Sequence, residues 1–229
     1  MADKIVVTGA TSGLGLALVR ALKAAGYAPI LTGRNGDKVA ALATEHDVAG
    51  YRLDVSDPVS IQSVTDAITR DHGAIYGLIN NAGIWLEGEF ETYDPSAIHA
   101  VIDTNTTGTI LMTHALLPDM IGRQRGVVIN TVSTGALYSR KMISVYSASK
   151  WAIRGFTGCL EVECAPKGVR VMGFYPGKID TDMYASAGID RDLEVAMSPD
   201  QGAAMVVAML RDETMVWGHV SGRAISDYI

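Results

Sequence analysis

Cysteine is scarce. Only Cys159 and Cys164 occur in 229 residues, so no disulfide framework is available, and two thiols on one expected helix match no zinc signature. Packed or idle thiols in a reducing cytoplasm are the location they point to. Positive charge is also in short supply. Lys and Arg number 19 against 25 Asp and Glu, a net charge of -6, whereas a dedicated nucleic-acid binder needs clustered cations facing phosphate. No apolar run is long enough to cross a bilayer, and the opening residues Met1 to Val7 lack a signal peptide's extended apolar stretch. His46, His72, His99, His114 and His219 follow no metal-ligand spacing, so no metal is expected. Repeats and low-complexity tracts are absent. What is present is a chain 48% hydrophobic, sufficient for one substantial core.

The remaining pattern alternates. Ile5-Val6-Val7 is a β-branched run suited to a buried parallel strand. It leads into Thr8-Gly9-Ala10-Thr11-Ser12-Gly13-Leu14-Gly15 and then a helical sequence from Leu16 to Lys23. Strand, glycine loop and helix form the context of a dinucleotide site, where the backbone approaches a pyrophosphate and helix N–H groups face it. A glycine-rich turn without a ligand is the competing reading. Ala28 to Thr32 reads as a second strand, followed by Gly33-Arg34-Asn35. An acidic residue there would suit NAD; Arg34 instead suits a 2′-phosphate, or is a solvated loop cation. Asp37 reads as the cap of the next helix.

Further strands are expected at Tyr51–Leu53, Tyr76–Ile79, Gly126–Ser133, Val169–Tyr175 and His219–Ile225. Helices are expected between them, including one long helix from about Pro95 to Met120. Asn105, among Thr104, Thr106 and Thr107, places a poor helix-forming patch inside that helix and signals distortion, a buried polar role or, equally, a solvated face. Strands alternating with helices imply an α/β fold: one doubly wound parallel sheet of Rossmann type, helices on both faces, a single domain over residues 1–229. Tyr146-Ser-Ala-Ser-Lys150 opens another helix, where residues four apart share a face. An ammonium beside a phenol lowers the phenol's pKa, so the pair is a candidate proton-transfer device.

In this order and spacing the motifs resemble the short-chain dehydrogenase/reductase family, in its compact single-domain branch. The resemblance implies a catalytic tetrad of Asn105, Ser133, Tyr146 and Lys150. It implies cofactor contacts from Gly9, Thr11, Ser12, Gly13, Leu14, Gly15, Arg34, Asp54, Val55, Asn81, Ala82, Gly83, Pro176, Gly177, Ile179 and Thr181, together with Tyr146 and Lys150. The implied activity is hydride transfer between NADP(H), with NAD(H) as the lesser choice, and a small carbonyl or alcohol. Tyr146 would be the acid or base and Ser133 would orient the reacting oxygen. Lys150 would lower the tyrosine pKa, and Asn105 would hold a helix distortion serving a proton relay. The alternative is a dinucleotide-sensing protein with little turnover. Residues 178–197 are expected to form a substrate lid, short enough to suggest an open pocket. Arg140 and Lys141 could attract an anionic substrate, but a charged loop is more often solvated and that is the expectation here. The resemblance further implies homodimers or homotetramers packed through the Asn105 and Tyr146 helices.

Overall fold

The computed structural model describes residues 2–217 and 219–222. Seven parallel strands form one sheet in the order β3-β2-β1-β4-β5-β6-β7. They are β1 (Lys4–Val7), β2 (Ala28–Gly33), β3 (Ala49–Arg52), β4 (Gly77–Asn80), β5 (Gly126–Thr131), β6 (Val169–Pro176) and β7 (His219–Gly222). The strand order reverses between β1 and β4, which opens a crevice at their carboxyl ends. The expected last strand is present as β7, paired to β6 from Gly173 opposite His219 to Pro176 opposite Gly222. Positions 223–225 of that expectation lie outside the described residues.

Side chains alternate across the strands, so each strand feeds two cores. Ile5, Val7, Leu31, Ile79 and Phe174 face α1 (Gly13–Ala24) and α7 (Pro199–Arg211), meeting Leu18, Leu22, Val206 and Leu210. Val6, Ile30, Leu78, Val128 and Val171 face the other side. There they meet Ile61 and Ile68 of α3 (Pro58–His72) and Met112 and Leu116 of α5 (Gly108–Gly122). This double burial explains why the strands read as continuous apolar runs.

Helix ends follow their side-chain chemistry, with one correction. α2 (Gly36–His46) is capped by Asn35, whose side-chain oxygen accepts from the Lys38 N–H; Asp37 lies inside the first turn and is not the cap. Asn35 wins because it is the residue with extended backbone, leaving its side chain free to turn back on the helix. α7 carries a full capping box between Ser198 and Gln201. The expected long helix is continuous from Pro95 to Gly122, but Asp103–Thr107 forms a π-helical segment between α4 (Pro95–Ile102) and α5. The distortion therefore falls at Asn105, where the sequence placed it. Among the described residues no helix is long and apolar enough to cross a membrane.

Candidate active site

The crevice begins at the loop after β1. Gly9 has φ +63°, and a Cβ there would lie 2.8 Å from the Ala82 Cα. A Cβ on Gly15 would lie 2.2 Å from the Gly9 carbonyl. Only glycine permits this backbone approach. The Thr8 hydroxyl accepts from the Asn81 and Ala82 N–H groups at 2.9 and 3.0 Å. The Asn81 amide donates back to the Thr8 and Gly9 carbonyls at 3.1 and 3.2 Å. The loops after β1 and β4 are thus joined into one floor. Ser12, at the N-cap of α1, makes no side-chain cap bond. The first N–H groups of this helix face the cleft at Gly13, Leu14 and Gly15 with their dipole's positive end.

That floor belongs to a cleft of about 720 Å3. Thr11, Ser12, Arg34, Val55, Asn81, Ala82, Gly83, Pro176, Gly177, Ile179 and Thr181 all line it, so most residues expected to touch a cofactor converge here. Asp54 is not among the lining residues. Its carboxylate accepts from the Ser56 N–H at 2.9 Å and the Ser56 hydroxyl at 2.6 Å. Burial raises its pKa, but those two bonds outweigh burial and hold the carboxyl below its usual range. Leu53 and Val55, on either side of it, line the cleft instead. Lys38 was missed: it lines the cleft beside Arg34, one turn into α2. A cation in the first turn runs against the helix dipole, and that is the signal that marked it.

At the far end Tyr146 and Lys150 both emerge from α6 (Ser144–Cys164) into the cleft, with Ser133 opposite. Both Tyr146 and Lys150 are buried. Burial lowers the Lys150 pKa to about 8. Lys150 Nζ donates to the Thr131 carbonyl at 2.9 Å and stands 5.9 Å from the Tyr146 ring centroid. The expected lowering of the phenol's pKa is not found. Burial pushes Tyr146 up, and a hydrogen bond with Ser133 opposes that only in part. Loss of hydration dominates because an aromatic lid covers the ring.

Asn105 stands behind the cleft wall. Its carboxamide bridges the Ile84 main chain and donates to the Ser149 hydroxyl at 3.1 Å. It therefore ties the β4 loop to α6. A Cβ on Gly83 would sit 3.3 Å from the Asn105 Oδ1 and 3.6 Å from Lys150 Nζ, which explains the small residue between them.

The segment from Lys178 to Met197 folds back over this end. Its two termini are joined by a parallel bridge between Ile179 and Met197. Trp85 packs on Tyr146 with centroids 4.2 Å apart and on Tyr184 at 4.9 Å. Met183, Ile189 and Leu193 close the cluster. Arg191 Nη2 donates to both Glu87 oxygens at 2.7 and 2.6 Å, and the Trp85 indole donates to Glu87 Oε2 at 2.8 Å. Apolar residues of this short segment, with Trp85 supplying the bulk, cover much of Tyr146. Glu87 and Arg191 carried no signal of their pairing, being 104 residues apart.

Among the described residues, no cluster of His, Cys, Asp or Glu is arranged to hold a metal ion. Cys159 is exposed and Cys164 buried, and both are free thiols.

Comparison with known proteins agrees with this geometry. The model of a family described as short chain dehydrogenase matches residues 3–192. An acetoacetyl-CoA reductase of Shinella zoogloeoides is 34% identical over 236 residues, covering 99% of this chain and 97% of that one. An uncharacterized oxidoreductase of Staphylococcus saprophyticus is 35% identical over 188 residues, covering 79% of this chain and 80% of the other. Among solved structures, the closed form of a serine dehydrogenase complexed with NADP+ superposes with a TM-score of 0.92 at 26% identity, covering 97% of this chain and 95% of that one.

Proposed function

Because the chain belongs to the short-chain dehydrogenase family and is an oxidoreductase of the carbonyl/alcohol type, we propose that it uses NADP(H) and that Tyr146 is its proton donor and acceptor. The observation that carries this reading is a single cleft. It holds an uncapped helix N-terminus and two cations at one end, and Ser133, Tyr146 and Lys150 at the other.

The residues present fit a phosphorylated dinucleotide. The α1 N–H groups at Gly13, Leu14 and Gly15 would hold its pyrophosphate, and Gly9 and Gly15 leave the backbone bare for it. Arg34 and Lys38 would hold a 2′-phosphate, since both line the cleft beyond β2 and no acidic residue follows that strand directly. When bound, the nicotinamide supplies a hydride to a carbonyl carbon or takes one from an alcohol carbon.

The protein's part is the oxygen. Negative charge grows there during reduction, and two hydroxyl groups aimed at it lower the barrier. Ser133 donates a hydrogen bond to that oxygen and fixes its position. Tyr146 keeps its proton across the neutral range, because burial raises its pKa, and transfers it to the oxygen as the alcohol forms. In the reverse direction Tyr146 accepts the alcohol's proton. Lys150, anchored on the Thr131 carbonyl, passes a proton onward. Asn105 acts through position, holding the Ile84 turn and α6 in register.

Residues 178–197 serve as the substrate lid of one domain. The outer face of α6 leaves Trp151 and Val162 45% and 75% exposed, and Gly155 and Gly158 have open space beside them. That apolar face supports self-association through this helix.

The test joins binding to turnover. Fluorescence titration should show NADPH binding more tightly than NADH. Tyr146→Phe should keep the NADPH affinity and lose at least about a hundredfold in kcat toward any carbonyl the wild type reduces, the loss typical of a removed oxyanion donor. A Phe variant with wild-type kcat would remove Tyr146 from its role. Binding without turnover in the wild type would favour a dinucleotide sensor.

A further inference from the structure

The whole chain carries a charge of -6, yet its cleft does not. Arg34, Lys38, Arg140, Lys150 and Lys178 line it, against Asp182 as the one carboxylate among the described lining residues. Most of these cations have work elsewhere. Arg34 and Lys38 stand at the β2 end, beyond reach of the reacting oxygen. Lys150 lies behind Tyr146 and is committed to the Thr131 carbonyl. Lys178 lies at the root of the lid, beside the bridge between Ile179 and Met197.

Arg140 is different. It lines the same cleft at the Tyr146 end, and no carboxylate among the described residues pairs with it. The neighbouring arginines are engaged: Arg191 on Glu87, and Arg154 on the Ala136 carbonyl at 2.9 Å.

Its loop is also held in place. The Met142 carbonyl accepts from the Gly88 N–H at 2.8 Å and the Tyr93 hydroxyl at 2.9 Å. Met142 itself sits at φ +68°, an uncommon conformation for a residue with a side chain. At the other end, Ala136 is fixed by Arg154. These bonds hold the main chain on both sides of Arg140, whose exposed guanidinium has no partner among the described residues and lines the cleft at its reactive end. Its charge is felt at the phenol, whose pKa it draws down against the effect of burial.

We propose that Arg140 is the substrate's anion-recognising residue, and that the substrate carries a carboxylate a few bonds from its reacting carbonyl or alcohol carbon. This rests on the carbonyl/alcohol reading of the site. A planar guanidinium matches a carboxylate with two parallel hydrogen bonds, which fixes orientation as well as affinity. The carboxylate at Arg140 and the oxygen at Ser133 and Tyr146 would then define which face of the carbon is presented. Arg140 is on this view a specificity-determining residue and takes no part in proton transfer.

The experiment uses isosteric pairs. Acetoacetate is compared with 4-methyl-2-pentanone, and 4-oxobutanoate with 4-methylpentanal, each reduced with NADPH by the full chain. The wild type should prefer the carboxylate member of a pair in kcat/KM. Arg140→Gln should shrink that preference about ten- to a hundredfold, the range for a lost hydrogen bond to a charged group. Arg140→Lys should restore part of it, because charge returns without the planar fork. NADPH titration of each variant checks that the fold is intact. A wild type without preference, or a Gln variant that keeps it, overturns the proposal.

A second measurement needs no turnover. Succinate is titrated calorimetrically into protein preloaded with NADP. Saturable binding that Arg140→Gln abolishes supports the site, and its absence in the wild type overturns it. If succinate binding depends on Arg140 while no carbonyl is reduced, the oxidoreductase reading falls and the anion site stands.

Discussion

The Asn105 carboxamide bonds the main chain of Ile84 in both directions, accepting from its N–H at 2.8 Å and donating to its carbonyl at 3.0 Å. One side chain thereby replaces the strand partner that the chain loses when it leaves β4. The π segment at Asp103–Thr107 is what turns Asn105 toward that loop. The Thr109 hydroxyl, in the next turn, bonds the Asn105 carbonyl at 3.0 Å.

Asn105→Ala should therefore cost stability as well as activity. Each main-chain group of Ile84 left buried and unpaired costs about 1–3 kcal/mol. Urea unfolding monitored by circular dichroism measures it. An Ala variant with the wild-type midpoint and slope would mean that the Ile84 turn is held by other contacts.

Cofactor choice should depend on two cations. Arg34→Asp and Lys38→Ala should each weaken NADPH about tenfold or more, as expected for a lost contact to a charged group, and leave NADH nearly unchanged. The ratio of kcat/KM values for the two cofactors reads this directly. If Lys38→Ala alters neither, its place in the cleft is incidental and Arg34 acts alone.

The lid should loosen when its ion pair is broken. Side chains of Arg191 and Glu87 are 24% and 20% exposed, so the pair is shielded from salt more than a surface pair. Glu87→Gln leaves Arg191 without its counter-charge, beside the rings of Tyr184 and Trp85. Trypsin should then cut after Arg191 severalfold faster than in the wild type, on the order of the population shift that about 1–2 kcal/mol produces. Equal cleavage rates would show that apolar packing around Trp85 alone keeps the lid down.

Lys150 should leave a signature in stability against pH. Its folded pKa, about 8, lies below the 10.5 usual for a lysine in water. Between those values the unfolded chain binds a proton that the folded protein does not. The destabilisation from burying the charge is complete below about 8 and is relieved as pH rises toward 10.5. The wild type should gain on Lys150→Met over that window by up to about 1.4 kcal/mol per pH unit. Chemical denaturation at several pH values measures the difference. A difference independent of pH would show that Lys150 titrates normally in the folded protein. Above pH 10 both proteins lose stability through Tyr146, whose folded pKa is raised so that the unfolded chain loses its proton first, and this loss cancels in the comparison.

Much of the site was legible because it is made of local chemistry. Gly9 and Gly15 signalled a bare backbone, and the structure has Gly9 at positive φ with no room for a Cβ on either. Tyr146 and Lys150 are one helical turn apart, so one cleft received both. Asn105 among threonines signalled a distorted helix, and a π segment stands there. Asp54 sits between two residues that line the cleft, Leu53 and Val55. Its carboxylate turned to Ser56, a bond two residues away that competes with any outward direction. Lys38 follows Asp37 in the first turn of α2, and only the packing of α2 beside β2 brings it to the cleft.

The sequence by itself determined the alternation of strands and helices, the parallel sheet and the candidates for the reactive groups. Those follow from periodicity, glycine and side-chain chemistry, which act over a few residues. Tertiary structure alone decided what each group faces. It paired Glu87 with Arg191 and set Trp85 over Tyr146. It also left Arg140 without a described counter-charge and removed the water that would have kept Tyr146 at an ordinary pKa. Hydration and charge pairing depend on everything within a few ångströms in space. Residues distant along the chain supply most of that surrounding.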